Sequence, residues 1–414
     1  MEAMLNHENR FLFHFAGKSI KRNAGRSFFI GLSVSLAVII AVWILAFFDG
    51  VNRQIERSVV NTNIGYFQIQ EREFSRTTDP SNPLPFDQKL AETLESSEIS
   101  PSPELVLDGN ITAPEGSAAL LILGIVPKLH EKFLGVSSNL IEGEFLTDGD
   151  ENEIVIGEAL AKEFKYRVGD DFVLNYQDQK GQLRSELVKI KGIFNFSSHS
   201  FEKRYAYVNQ STWQKLYLNE DTGRTLFNRV SLMVPGLEWK EEIQSRISPN
   251  DLVLKSWRDL NPEMSVVMDF NDGMIRMFFL IIGITVLMTI LTPVQMLWQE
   301  RFRELKMLNI LGVSNSRFWK IGFFEVLHMI FYSGLVSSII LVVVIGIQSK
   351  TGVVFDYGKE GINIERAGIQ LTGIVYPVLS LSQISVTFLF IIFVLMISYV
   401  WSIHRTLGKL EADT

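Results

Sequence analysis

The sequence predicts a membrane protein: four transmembrane α-helices, one before and three after a large α+β extracytoplasmic domain. Three observations predict it. Of the 414 residues 47% are hydrophobic, and many collect in four blocks, residues 28–48, 277–298, 321–346 and 384–403. Each block reaches the roughly 20 residues needed to cross a hydrocarbon core of about 30 Å. Lysine and arginine cluster beside alternate ends of the blocks, and the 228 residues of segment 49–276 alternate strand-like and helix-like patterns.

Residues 1–27 read as a basic N-terminal elbow helix. Lys18, Lys21, Arg22 and Arg26 precede the first block with no acid among them. Block 28–48 is read as a permanent anchor and not a cleaved signal: it starts late, is long, and has no small-x-small site after it. Ser33, Ala37 and Ala41 form a stripe of small residues on it, fit for close contact with a helix of this or another subunit.

Segment 49–276 carries 36 acids and 24 bases, a net charge of −12. That excludes a nucleic-acid surface, which needs cations to displace counterions from phosphates. "IGYFQIQ", "FDQKLAETLESS" and "ELVLDGNITA" read as strand, helix and strand, and "NRVSLMVP", "LEWKEEIQSRI" and "DLVLKSW" repeat the order at the far end. The two ends predict one sub-domain, with a second, mostly antiparallel one inserted over about 118–208. No catalytic constellation is found. The six histidines, His7, His14, His130, His199, His328 and His404, form no i,i+4 pair, and H-E-x-x-H and G-x-S-x-G are missing. His199, in "SSHSF", reads as a loop residue.

Block 277–298 is the second span, with Pro293 as a kink and possible hinge. Residues 299–320 form a loop with Arg301, Arg303, Lys306, Arg317 and Lys320. Phe302, Leu305, Leu308 and Leu311 recur at helical spacing there, which predicts an amphipathic helix of about ten residues. Gly312 is its stop, and Ser314 or Ser316 the cap of the next helix. Such a short helix is marginal alone and needs a partner surface. The third span, 321–346, carries Glu325 about one turn inside. An intramembrane carboxylate is costly and usually paired. Loop 347–383 holds three bases, Lys350, Lys359 and Arg366; after the fourth span, 384–403, the tail 404–414 has Arg405 and Lys409. The base-rich segments are cytoplasmic by the positive-inside rule, so both termini are inside and 49–276 is outside.

"ERFRELKMLNILGVSNSRFWKIGFFE" resembles the signature of the FtsX/MacB/Lol class of ABC-transporter permeases, matched by Glu300, Arg301, Glu304, Leu305, Leu308, Leu311, Gly312 and Glu325. The basic elbow and first span are also similar to that class, and "LILGIVP", "EGEFL", "NEIVIGEALAKEFKYRVGDDFVL" and "LKSWRDL" resemble a Lol-type outer domain.

The resemblance implies a dimer of four-span subunits on a LolD-like ATPase dimer, with the charged helix coupling them. The chain has no G-x-x-x-x-G-K-[ST], so the resemblance places ATP and Mg on a separate subunit and makes this chain no enzyme. It implies a bacterial inner-membrane protein, closest to a LolE-like lipoprotein-releasing subunit with a paralogous or identical second permease. The hairpin "NYQDQKGQLRSELVKI" is short and lacks the proline-bearing hook by which a related subunit recruits a periplasmic chaperone. The tail "WSIHRTLGKLEADT" departs from the family's ending. The alternatives are an FtsX-like transducer that switches a cell-wall hydrolase, and an efflux or peptide-export permease.

Burying three acyl chains of ~45 methylenes at about 0.8 kcal/mol each gives roughly 36 kcal/mol, which no single binding step offsets. A lipoprotein cargo therefore implies an apolar cavity at the outer leaflet. Its candidate lining is Phe47, Phe48, Val51 and Ile55 of one subunit's first span, with Met264, Met268, Met274, Met277 and Phe278 of the other's second. The same residues equally read as helix-packing contacts.

Overall fold

The computed structural model describes residues 13–14, 17–18, 22 and 24–412, apart from 95–97, 114–115, 197, 248–251, 311–314 and 355–373; side chains over most of 289–318 and 406–412 are outside the description. The chain forms two compact units. One contains 54–268 and the other 1–53, 269–355 and 373–414.

The main strands of the first unit are β1 (Phe67–Glu71), β2 (Ser100–Ala113), β3 (Gly116–Ile125), β4 (Glu153–Gly157), β5 (Asp171–Gln177), β6 (Leu183–Phe194), β7 (Tyr205–Asn209), β8 (Arg229–Met233) and β9 (Leu252–Ser256), with shorter ones at Leu84–Pro85, Leu140–Gly143 and Leu226–Phe227. β9, β1, β8 and the first half of β2 pair antiparallel in that order. Helix Gln88–Leu94 lies between β1 and β2 in the chain, and Lys240–Arg246 between β8 and β9. This is the split β-α-β arrangement of a ferredoxin-like sheet. The strands of the two end segments pair in this one sheet. Phe67, Ile69, Val230 and Leu232 alternate onto one face and pack with Leu94 and Ile243 of the helices. The opposite face of β1 carries Gln68 and Gln70, both buried. Gln68 Nε2 donates to Ser231 Oγ at 3.2 Å, and Gln70 Nε2 to Gln68 Oε1 at 3.0 Å.

The insert closes on itself. Residues 104–113 of β2 pair with β3, β3 with β7, β7 with β4, β4 with β6, β6 with β5, and β5 returns to residues 109–111 of β2. Four of the six pairings are antiparallel and two, β3–β7 and β4–β6, are parallel. The ring has no open edge among these six strands, which removes an aggregation template. Leu105, Leu107, Ile122, Ile154, Phe172 and Trp213 belong to its core. Trp213 comes from helix Gln210–Leu218 and lies against Gly124, where a Cβ would fall 2.5 Å from the Trp213 Cβ. At the β5–β6 turn Asp178 accepts from the amides of Lys180 (3.0 Å) and Gln182 (2.9 Å), and Gly181 takes φ +77°, a conformation that favours glycine. His199 opens a short helix, His199–Arg204, and so differs from the expected loop residue.

A buried polar cluster sits where β2 passes from the open sheet into the ring. Glu104 Oε2 accepts from Arg229 Nε at 2.7 Å, and His130 Nδ1 lies 2.9 Å from Ser102 Oγ and 3.7 Å from Glu104 Oε1. The Tyr207 ring centroid is 4.9 Å from the imidazole. Burial, with the Arg229 charge second, pushes His130 down from 6.5 to about 3. The unfolded chain therefore takes up a proton near pH 6.5 that the folded chain refuses until about pH 3. The resulting stability is fully present above pH 6.5 and falls below it, by up to about 1.4 kcal/mol per pH unit. Hydrogen exchange of the β2 and β3 amides between pH 7 and pH 4 should show this loss in the native chain. His130→Phe should flatten it, whereas an unchanged slope would remove His130 as the cause.

The second unit is helical. Its long helices are α1 (Ala24–Val59), α2 (Pro262–Ile310), α3 (Asn315–Thr351) and α4 (Leu381–Ala412), of which α1 and α2 begin or end within the first unit's residues. Among the described residues three stretches are long and apolar enough to cross a membrane: Ser27–Thr62, Trp319–Thr351 and Ile384–Arg405. Ile30, Val34, Val38 and Val42 of α1 pack with Leu341 and Val394 of α3 and α4. Of the small-residue stripe, Ala41 is buried and Ser33 and Ala37 are half-buried beside that apolar seam. Trp43 Nε1 donates to Gln348 Oε1 at 2.7 Å, and Ser35 Oγ to the Ser333 carbonyl at 3.1 Å. Phe390 of α4 fits over Gly283 of α2, where a Cβ would fall 2.4 Å from its ring, and Phe388 likewise covers Gly334 of α3. Close approach at small residues is how helices pack where lipid supplies no hydrophobic drive.

Candidate functional site

The motif "LKSWRDL" fixes the start of α2. Trp257 is fully buried, and its amide donates to the Tyr66 carbonyl at 3.0 Å. Ser256 and Asp259 form a capping box: the Ser256 hydroxyl accepts from the Asp259 amide at 3.3 Å and donates to its carboxylate at 2.7 Å. That hydroxyl holds the Asp259 carboxyl below its usual range. The Arg258 guanidinium lies over the Trp257 ring, 5.4 Å from its centroid.

From Pro262 the helix runs 49 residues without a break. At 1.5 Å per residue that is about 73 Å. The expected separate helix over 301–311 is corrected here. Residues 299–310 are the last turns of the same helix as the apolar block 277–298, and the helix passes through Pro293 uninterrupted. A switch from apolar to charged side chains changes what the helix faces, while its backbone hydrogen bonds continue. Glu300, Arg301, Glu304, Leu305 and Leu308 lie on these turns, and their side chains are outside the described ones; Leu311, Gly312 and Ser314 are outside the described residues. Ser316 falls inside α3 and so is not its cap. Met307, passed over in the sequence, is described and is 64% exposed.

Glu325, on the third turn of α3, is 9% exposed. It is enclosed by helices and does not simply reach the surface. The Tyr399 hydroxyl of α4 is within its electrostatic reach and also donates to the Trp319 carbonyl, with the two rings edge-to-face at 5.8 Å. Glu325 therefore sits at the α3–α4 contact, six residues past Trp319, where the apolar stretch begins.

The cavity candidates separate into two groups. Val51, Ile55, Met264 and Met268 are buried within the chain, as the packing reading has it. Phe48 stacks on Phe278 at 6.1 Å, and Asn52 binds Asp272 (3.0 Å) and Asn271 (3.3 Å), so α1 and α2 of one chain meet at this level. Phe47 is half-buried and stacked on Trp43 at 5.6 Å; Met274 is half-buried. Met277 alone of the nine is open, at 53% exposed. It lies on a stripe of α2 that the methionine-based reading missed: Val266, Phe270, Met277, Ile281, Ile284 and Met288, all exposed. Their separations of four, seven, four, three and four residues are the repeat of one helix face and could have revealed the stripe.

A family model described as the MacB-like periplasmic core domain matches residues 27–248. Two solved structures are similar over part of the chain. The crystal structure of the extracellular domain of the noncanonic ABC-type transporter YknZ from Gram-positive bacteria shares 14% identity, with a TM-score of 0.29, over 44% of this chain and 87% of that one. A domain of a putative permease protein from Porphyromonas gingivalis shares 13%, with a TM-score of 0.27, over 45% of this chain and 85% of that one. No curated protein sequence matches.

Proposed function

From the premise that this chain belongs to the MacB-like periplasmic core domain family, that of FtsX/MacB-type ABC-transporter permeases, we propose that it is a mechanotransmission subunit that extracts lipoproteins from the bacterial inner membrane. Permeases of this type work with an ABC ATPase. Here the ATPase is a separate, LolD-like dimer that binds ATP and Mg, and the permease is a four-span subunit with both termini in the cytoplasm. A second permease, identical or paralogous, completes the pair. The five-residue β5–β6 turn, 178–182, has no proline, which favours a LolE-like role with any chaperone docked on the other subunit.

One observation carries the proposal: α2 joins the end of the outer domain to the charged turns at 299–310 as one unbroken helix. A displacement at one end of a stiff element is delivered at the other, so ATPase closure can act on the outer domain without cargo crossing the bilayer. The exposed apolar stripe from Val266 to Met288 supplies a surface for acyl chains on that same element.

The test is purification of the complex in mild detergent and measurement of ATP-dependent release of a triacylated protein from proteoliposomes. Phe270→Arg with Met277→Arg should lower release at least tenfold, because an arginine facing acyl chains costs about 2.5–3.5 kcal/mol at full depth. Assembly and basal ATPase should remain. Release at the native rate would reject the stripe as the acyl path. A bound cell-wall hydrolase with no lipidated protein would replace the reading by signal transduction.

A further inference from the structure

A groove of about 770 Å³ lies inside the helical unit, between the N-terminal residues, α1 and α3. That volume is in the range of small-molecule sites. Its walls are mainly apolar, with Phe13, Leu32 and Val336 among them; His14, Lys18 and Ser27 are polar groups of its lining, as are Ser35, His328, Tyr332 and Ser333. His14 and Lys18 are both helical and one turn apart, so they share a face, and both are exposed. Phe13 closes one side against α3, its ring 4.2 Å from His328 and 5.7 Å from Phe324.

The floor is specific. Gly31 presents no side chain there, and a Cβ on it would stand 3.5 Å from Ser333 Oγ. Ser333 is 2% exposed, lines the groove, and its hydroxyl has no hydrogen-bond partner among the described residues. A buried hydroxyl without a partner is costly, which makes it a marker of a ligand acceptor. Gly31 lies one turn past Ser27, about 6 Å along α1, and Ser35 a further turn. A lysine at the mouth, a donor one or two turns in and an apolar run beyond match the order phosphate, ester carbonyl, acyl chain.

We propose that this groove holds one anionic phospholipid, with its phosphate at Lys18, an ester carbonyl on the Ser333 hydroxyl and an acyl chain along Leu32 and Val336. The site is at the opposite end of α1 from Phe47 and Phe48 and does not depend on the cargo assigned above. The lipid fills the space that Gly31 leaves and ties the N-terminal residues to α3.

The experiment is native mass spectrometry of the full chain in detergent, titrated separately with phosphatidylglycerol, phosphatidylcholine and inorganic phosphate. Phosphatidylglycerol should bind at one equivalent, with a roughly fivefold preference over phosphatidylcholine, as expected for one lysine at an anionic headgroup. Lys18→Gln should erase that preference, and Gly31→Leu should lower occupancy by both lipids. If Gly31→Leu fails to fold, Lys18→Gln, at an exposed position, decides. Equal binding of both lipids to the native chain, an undiminished preference in Lys18→Gln, saturation by inorganic phosphate alone, or a groove closed by a second copy of the chain with no lipid bound would each overturn the proposal.

Discussion

Leu308→Arg should abolish the stimulation of the ATPase by cargo while the complex stays assembled and folded. Leu308 lies in the last turn of α2, which ends at Ile310. Its chain neighbour Met307 is 64% exposed, so the end of this helix offers apolar surface outward from the chain. A permease of this family has an ABC ATPase to receive it. A buried apolar contact at the centre of a docking patch is worth about 2 kcal/mol or more on truncation, and a cation in its place adds unpaired charge. A loss of that size is at least thirtyfold in coupled occupancy. ATP hydrolysis with and without a lipidated substrate measures it, in nanodiscs, with thermal unfolding of the permease as control. Met307→Ala, a milder cut at the exposed neighbouring residue, should give an intermediate loss. A native response in Leu308→Arg would mean that force enters the chain elsewhere.

What the sequence disclosed, and what it withheld, follows from which forces are local. Long apolar runs disclose spans because the bilayer demands them, and the stretches at Ser27–Thr62, Trp319–Thr351 and Ile384–Arg405 were plain. The ferredoxin-like halves were legible because each is a strand–helix–strand unit within about 45 residues. The ring was not, because its closure depends on β5 returning to β2 some 60 residues back, and no local pattern encodes that pairing. The insert was also placed too narrowly. β2 is one 14-residue strand that serves two sheets, residues 100–104 pairing with β8 and 104–113 with β3, and a strand carries no mark where its partner changes. At the candidate site the coupling residues were chosen by motif, and Glu325 by charge within an apolar run. The α2 stripe was missed because methionine was followed as a residue type when the helical repeat was the better guide.

Glu104→Ala should destabilise the outer domain by about 3–5 kcal/mol, the cost of leaving one member of a buried ion pair without the other. Glu104 is fully buried and Arg229 is 11% exposed at the side chain, so little water is available to replace the lost carboxylate. No local pattern marks the pair, since 125 residues separate its members. Its position makes it more than a core contact. β2 leaves the open sheet at Glu104, and the Glu104 carbonyl also receives the Asn228 amide at 2.9 Å, so side chain and backbone fasten β2 to β8 at the junction of the two sub-domains. Arg229→Ala should cost a similar amount by stranding the carboxylate beside His130. Glu104→Leu with Arg229→Met should recover much of either loss, because an apolar pair of like volume needs no counter-charge. Hydrogen exchange of the β2 and β8 amides in the full chain measures all four proteins. If the double variant is as unstable as the sum of the singles, the charges are not coupled and the junction is held by packing. If it recovers stability but releases no cargo, the ion pair is kept for the angle it imposes between the two sub-domains, which an apolar substitute of similar bulk does not fix.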